Sequence, residues 1–274
     1  MFYVVHGREG DGNMKNVMAI TVALVCLPLA IYGAEPVVEK EAKSDLSVEF
    51  RYYVPKLKFE SKGFSSKIKN VLGMTGDAFS FRDTLGIRNS HAPEYKMNWK
   101  NWSVDYIRVH EDGRNLNKSI DQADLNLDYV ALNYRKNFHQ SNTHEAYWLG
   151  GLRYYQFYTA VRFGDPQRKG YNFSNKQKQW LPAVGIGGKW YLDSKKKWNV
   201  RSELSGGTLG KRGHFYDWDV GLHYVSSPHL GWNVGYRVLD LKIRDGEHEF
   251  FAQNGSISSV YKLSGWYGGV EYRF

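Results

Sequence analysis

The chain has 274 residues, of which 16% are aromatic, with 28 Gly, 7 Pro and a single Cys. Lys and Arg number 37 against 28 Asp and Glu, a net charge of +9. The negative mean hydropathy excludes a bundle of membrane helices, and the lone Cys26 excludes a disulfide framework.

Residues 1–13 carry no periodic pattern and read as an over-extended start, with Met14 as the true beginning. From Met14, a basic start leads into an apolar run over Val17–Ile31 and then small residues at Gly33 and Ala34. That is the form of a secretory signal peptide over 14–34, too short for a spanning helix. Residues 35–44 are a charged lead-in. From residue 45 the pattern is alternation with a period of two, the mark of β-strands. Strands are expected at 45–60, 94–99, 102–110, 121–138, 146–163, 179–192, 198–207, 214–225, 231–244 and 258–274. Their connections alternate in kind. Short turns fall at 100–101, 139–145, 193–197 and 226–230, and on the other side lie longer loops at 61–93, 111–120, 164–178 and 245–257 with a short loop at 208–213. The segment 61–93 carries an amphipathic piece near 68–72.

The end of the chain is the most specific stretch. Trp266, Gly268, Val270, Tyr272 and Phe274 alternate with Gly265, Tyr267, Gly269, Glu271 and Arg273. A last strand that closes on Phe, with Trp266, Val270 and Tyr272 on the same face, resembles the closing strand of bacterial outer-membrane β-barrels. In general plan the chain is similar to the small OmpA- and OmpW-like barrels. Asp83-Thr84-Leu85-Gly86 followed by Pro93-Glu94-Tyr95 also resembles an uncharacterised barrel group, which implies fold only.

The resemblance covers residues 45–274. It implies an all-β, transmembrane, antiparallel up-and-down β-barrel of about ten strands, with eight or twelve open because 61–93 has room for another hairpin. It implies a Gram-negative outer-membrane location reached through the signal peptide, with 35–44 in the periplasm. The partners it implies are outer-membrane lipid, lipopolysaccharide, and the barrel-assembly machinery acting on the C-terminal strand of a monomer.

Following parity along each strand gives a second observation. In the half nearer the short turns, one face is apolar, as in Trp102, Val104 and Tyr106, or Trp232, Val234 and Tyr236. Further along, the apolar set moves to the opposite parity: Leu57 and Phe59, Ile107 and Val109, Leu125 and Leu127, Phe157 and Val161, Leu239, Leu241 and Ile243, Tyr261 and Leu263. A β-bulge in every strand would produce this flip. So would a barrel that rises above the bilayer and inverts there, with a polar outside and an apolar inside. Inversion is the preferred reading, since it does not require many bulges at one height.

The inward positions of the lower half then hold Glu49, Arg51, Asp105, Arg135, Arg153, Lys189, Arg201, Glu203, Asp217, Asp219, Arg237, Glu271 and Arg273, with His223 beside them. Near balance of charge in a narrow lumen points to a network of ion pairs, because unpaired buried charges are costly. An anion-selective pore would instead carry an excess of Arg and Lys.

For chemistry, His110 with Asp112 at a strand top is a weak catalytic candidate, a base and a carboxylate without an identifying motif. His139 and His144 flank a short turn and read as solvated. Gly185, Gly187 and Gly188 alternate within a strand and read as close packing rather than a phosphate loop. No metal-ligand spacing, cofactor motif or nucleic-acid recognition motif is present.

The expected function is a structural, porin-like cell-envelope barrel, or one passing a narrow small solute or holding an apolar ligand, with a salt-bridged lower lumen. The alternatives are a lipid-modifying enzyme at the extracellular rim and a surface interaction protein acting through 61–93.

Overall fold

The computed structural model describes residues 46–62, 78–80, 92–117, 120–162, 173–210, 213–245 and 257–274. The expected leader, the lead-in and the amphipathic piece near 68–72 lie outside the described residues. The strands are β1 (Leu46–Lys62), β2 (Ala78–Ser80), β3 (Ala92–Trp99), β4 (Trp102–Asn117), β5 (Ile120–Gln140), β6 (His144–Arg162), β7 (Phe173–Tyr191), β8 (Trp198–Thr208), β9 (Gly213–Val225), β10 (Leu230–Asp245) and β11 (Ile257–Arg273).

Neighbours in sequence pair antiparallel from β3 round to β11, and β11 pairs with β1 to close the ring. Ten long strands make the wall. The short β2 pairs with the far end of β1, at Glu60–Lys62, while β3 pairs with its near end from Leu46 to Tyr53. The seam is as regular as any hairpin: sixteen consecutive pairs run from Ser47–Arg273 to Lys62–Ser258. Closure removes the unpaired sheet edges that an open sheet would expose.

The strands outrun the expected lengths at the long-loop end. Residues 111–117 continue β4 and 120 already belongs to β5, where a polar loop over 111–120 was expected. Likewise β7 begins at Phe173, inside the expected loop 164–178. The physical reason is the inversion itself. On this part of the wall the outward positions are polar, so Lys176, Lys178 and Asp112 look like loop residues in sequence while they sit exposed on strands.

The faces run as inversion requires. Val48, Phe50, Tyr52 and Val54 are exposed, and Lys56 and Lys58 continue the same outward row. On the inside, Glu49 and Arg51 give way to Tyr53, and in β10 Arg237 gives way to Leu239, Leu241 and Ile243, all buried. The β1–β11 and β10–β11 registers cross this changeover without a shift. The only register shifts in β4, β5 and β6 fall near strand ends, at Arg114/Asn117 and Asn137/His139. Bulges therefore do not cause the flip.

The upper interior is a dense apolar core in which Ile107, Val109, Leu125, Leu127, Phe157, Leu239, Leu241, Ile243, Tyr261 and Leu263 are all buried. The ring of Phe157 stacks on that of Tyr261. The side chains of Leu57, Phe59 and Val161 fall outside the described ones.

Glycine makes room for aromatics lower down. Gly221, Gly235 and Tyr267 are adjacent across three strands, and a Cβ on either glycine would overlap the Tyr267 hydroxyl. Tyr147 lies over Gly187 in the same way.

Candidate functional site

Three layers stack inside the wall below the apolar core, and alternation in each strand builds them. The uppermost polar layer centres on Arg237, which is 2% exposed. Its Nη1 bonds to Glu94 Oε1, and its Nε and Nη2 grip both oxygens of Asp217 at 3.0 and 2.7 Å. The Tyr129 hydroxyl donates to Asp217 Oδ2 at 2.7 Å. Arg153 lies at this height and donates to Asn133 Oδ1 at 2.6 Å and to Ser205 Oγ at 3.0 Å.

The middle layer centres on Arg51. Its guanidinium reaches Glu49 at 2.6 Å, Asp219, and Glu94 at 3.5 Å, and lies 4.3 Å from the Tyr267 ring centroid. Asp219 also accepts from the Tyr267 hydroxyl at 2.6 Å. Glu94 thus joins the two arginines, and its own exposure is 0%. Charges taken this far from water are held only by such pairing.

The lowest layer faces a cavity of ≈ 300 Å³ at the short-turn end. Glu203 accepts from Arg135 at 2.7 Å, Lys96 at 3.4 Å and the Tyr147 hydroxyl at 2.7 Å. Lys96 also lies 3.8 Å from Asp105. Glu271 takes Arg201 at 3.2 Å and Arg273 at 3.0 Å. Lys189 stands apart, with its ammonium 4.5 Å from the Tyr191 ring centroid.

Of the thirteen inward residues expected from sequence, the structure brings eleven into carboxylate–cation contacts. Arg153 bonds instead to neutral groups, and Lys189 to an aromatic face. Sequence reasoning missed Glu94 and Lys96, although they alternate with the exposed Tyr95, Met97 and Trp99, and that parity marks them as inward. It also missed the phenols of Tyr129, Tyr147 and Tyr267, because a tyrosine at an inward position reads as packing until its hydroxyl finds a carboxylate.

His110 is exposed on the outer wall, and its Nδ1 lies 2.5 Å from Asn126 Oδ1. Asp112 is exposed on the same row. The His110 ring therefore rests on an amide and not on a carboxylate that would set its tautomer for base catalysis. His144 corrects an expectation of solvation. It is buried, stacked on His139 at 4.7 Å, and its Nδ1 contacts the Ser141 and Thr143 hydroxyls. Packing against the turn covers it. Among the described residues, no group of three or more His, Cys, Asp or Glu converges as a metal site.

The closing-strand residues face outward. Trp266 and Phe274 are 66% and 61% exposed, Tyr272 is 48% exposed, and Val270 is half-buried.

No family model matches this sequence, and no curated protein matches it. Among solved structures, the outer membrane protease OmpT from Escherichia coli aligns with a TM-score of 0.50 at 11% identity, over 86% of this chain and 99% of that one. Neisserial surface protein A aligns at 0.32 and 14% identity, over 85% of this chain and 100% of that one. The toluene transporter TbuX of Ralstonia pickettii aligns at 0.36 and 6% identity, over 85% and 90%. The last two likenesses are too slight to carry an argument, and identity this low says nothing about activity in any of the three. The chain has the closed antiparallel barrel fold of bacterial outer-membrane proteins such as OmpT.

Proposed function

We propose that the protein is an integral outer-membrane barrel that is closed across its middle and acts as a structural, non-conducting element of the cell envelope. The observation that carries this reading is the stack inside the wall. Two arginine-centred layers sit directly beneath a packed apolar core, so an ion entering from the short-turn end meets paired charges and then a dry interior.

The outer surface supports a membrane setting. Trp99, Trp148, Trp180, Val184, Trp232 and Trp266 stand on an exposed band of a size that soluble monomers avoid. On β11 it runs from Trp266 to Phe274. At about 3.3 Å per residue and a tilt of about 40° that is roughly 20 Å, close to the apolar band of known outer-membrane barrels. A strand needs only about 9–11 residues to span a bilayer, and β5 has 21. The surplus forms the inverted part, which projects outside the cell while the short turns face the periplasm.

Just above the band, Lys58 pairs across the seam with Lys262. Lys58 has Glu60 at 3.1 Å and Lys262 faces Asp240 on β10, and the phosphates of lipopolysaccharide would be further counterions at that height. The outward aromatic row of β11 is the part of the chain offered to the barrel-assembly machinery.

The test is conductance of the refolded protein in planar bilayers, after heat-modifiable gel mobility has established folding. Silence is expected. Steady, reproducible openings would overturn the closed-barrel reading and make solute passage the working function.

A further inference from the structure

We infer that the cavity at the short-turn end is a binding site for a small oxyanion of the phosphate class, held by Lys189 with Arg201 and His223. The inference stands whether or not the barrel conducts, because the cavity lies below the closing layers.

The argument is one of unmatched charge. The cavity is lined by six basic residues, Arg51, Lys96, Lys100, Arg135, Lys189 and Arg201, and by four acidic ones, Glu145, Glu203, Asp219 and Glu271. Each carboxylate is already engaged. Glu203 is held by Arg135 and Lys96, Asp219 by Arg51, and Glu271 by Arg201 and Arg273. Glu145 accepts from the Tyr191 hydroxyl at 2.8 Å.

Lys189 has none of them. It makes no ion pair and no hydrogen bond among the described residues, although Glu145 is its cross-strand neighbour on β6. Its neighbour on β8 is Arg201, a like charge directly opposite, which is destabilising unless an anion lies between. His223 adds a second unmet group: it is 2% exposed, and its buried Nδ1 has no hydrogen-bond partner among the described residues. A half-buried ammonium, a guanidinium with donors to spare and an imidazole around one hollow are the donor set that tetrahedral oxyanions use.

The ≈ 300 Å³ of space matches the small end of ligand pockets. Its position inside the wall selects a free solute over a lipid headgroup.

Calorimetric titration of the refolded barrel in a zwitterionic detergent with inorganic phosphate tests this, with chloride at matched ionic strength as the control. One saturable site is expected for phosphate and none for chloride. Lys189→Met should weaken binding at least about tenfold, the loss of one charge-assisted hydrogen bond. Lys195→Met, on the exposed turn, should leave it unchanged. Should Lys189→Met fail to fold, His223→Gln takes its place and is expected to weaken binding as well. Absence of saturable phosphate binding, or unchanged affinity in the folded variant, overturns the inference.

Discussion

Replacing Arg237 by Met is the sharpest probe of what holds the barrel shut. The substitution keeps much of the side-chain volume and removes the cation between Glu94 and Asp217. Breaking a buried pair by deleting one partner costs about 3–5 kcal/mol, because the other charge is stranded. Two contacts survive here: Arg51 stays 3.5 Å from Glu94, and the Tyr129 hydroxyl still donates to Asp217 at 2.7 Å. The expected loss is therefore at the lower end, about 3 kcal/mol. Urea unfolding in lipid vesicles, followed by tryptophan fluorescence, reads it directly, since the chain has nine Trp. Arg273→Met is the internal comparison. Arg273 bonds to Glu271 at the rim with 24% side-chain exposure, and Glu271 retains Arg201, so the expected loss is below about 1 kcal/mol. If the two variants unfold alike, the arginine layers are not what stabilises the closed state, and the reasoning fails.

Gly235→Ala should destabilise the barrel by about 1–3 kcal/mol, because its Cβ would collide with the Tyr267 hydroxyl and the Val220 carbonyl, whereas Gly150→Ala, with nothing within 4 Å, should unfold like wild type in the same urea series. Leu127→Ala, deep in the upper core with 0% exposure, should cost about 2–5 kcal/mol; a value near zero would mean that the core is loosely filled. On the turn after β7, Asp193 accepts from the backbone N–H groups of Trp198 at 2.6 Å and Lys197 at 3.2 Å. The Trp198 amide is the larger cause that holds its carboxyl below the usual range. A carboxyl depressed in the folded state stabilises above its unfolded pKa and loses that contribution as pH falls through the folded one. Asp193→Asn should therefore lower stability at neutral pH and shrink the difference between neutral and acid unfolding midpoints, and an unchanged difference would refute this. Phe274→Ala should reduce the amount of protein recovered in the outer membrane without changing the stability of barrel refolded in vitro.

The sequence told most where chemistry and geometry share a period. Alternation placed the short turns to within a few residues and put Glu49, Arg51, Glu203 and Arg237 on the inner face, because a strand leaves each side chain only two directions. It said less about who bonds to whom. Glu94 on β3 meets Arg237 on β10, three strands away through the seam, a contact set by how far each strand is staggered along its neighbour, and residue order does not encode that stagger in any local pattern. The long-loop end was misread for a related reason. Outward Lys176 and Lys178 resemble a loop because polarity normally marks the end of a strand, and here it marks the part of the wall where the outer face turns polar. Tyr129 and Tyr267 were invisible as hydrogen-bond donors since their rings satisfy the apolar pattern by themselves.

The sixteen-pair seam has a consequence in time. Ser47 pairs with Arg273 and Lys62 with Ser258, so the first wall strand to be synthesised waits for the last. Every other pairing in the ring joins neighbours along the chain and can form as soon as a hairpin is complete. The seam alone demands that the whole length be present, and loop-closure entropy delays it further. Throughout that interval β1 carries an unpaired edge flanked by Val48, Phe50 and Tyr52, a template for joining another molecule's strand. That edge stays open to such pairing until β11 arrives to cover it.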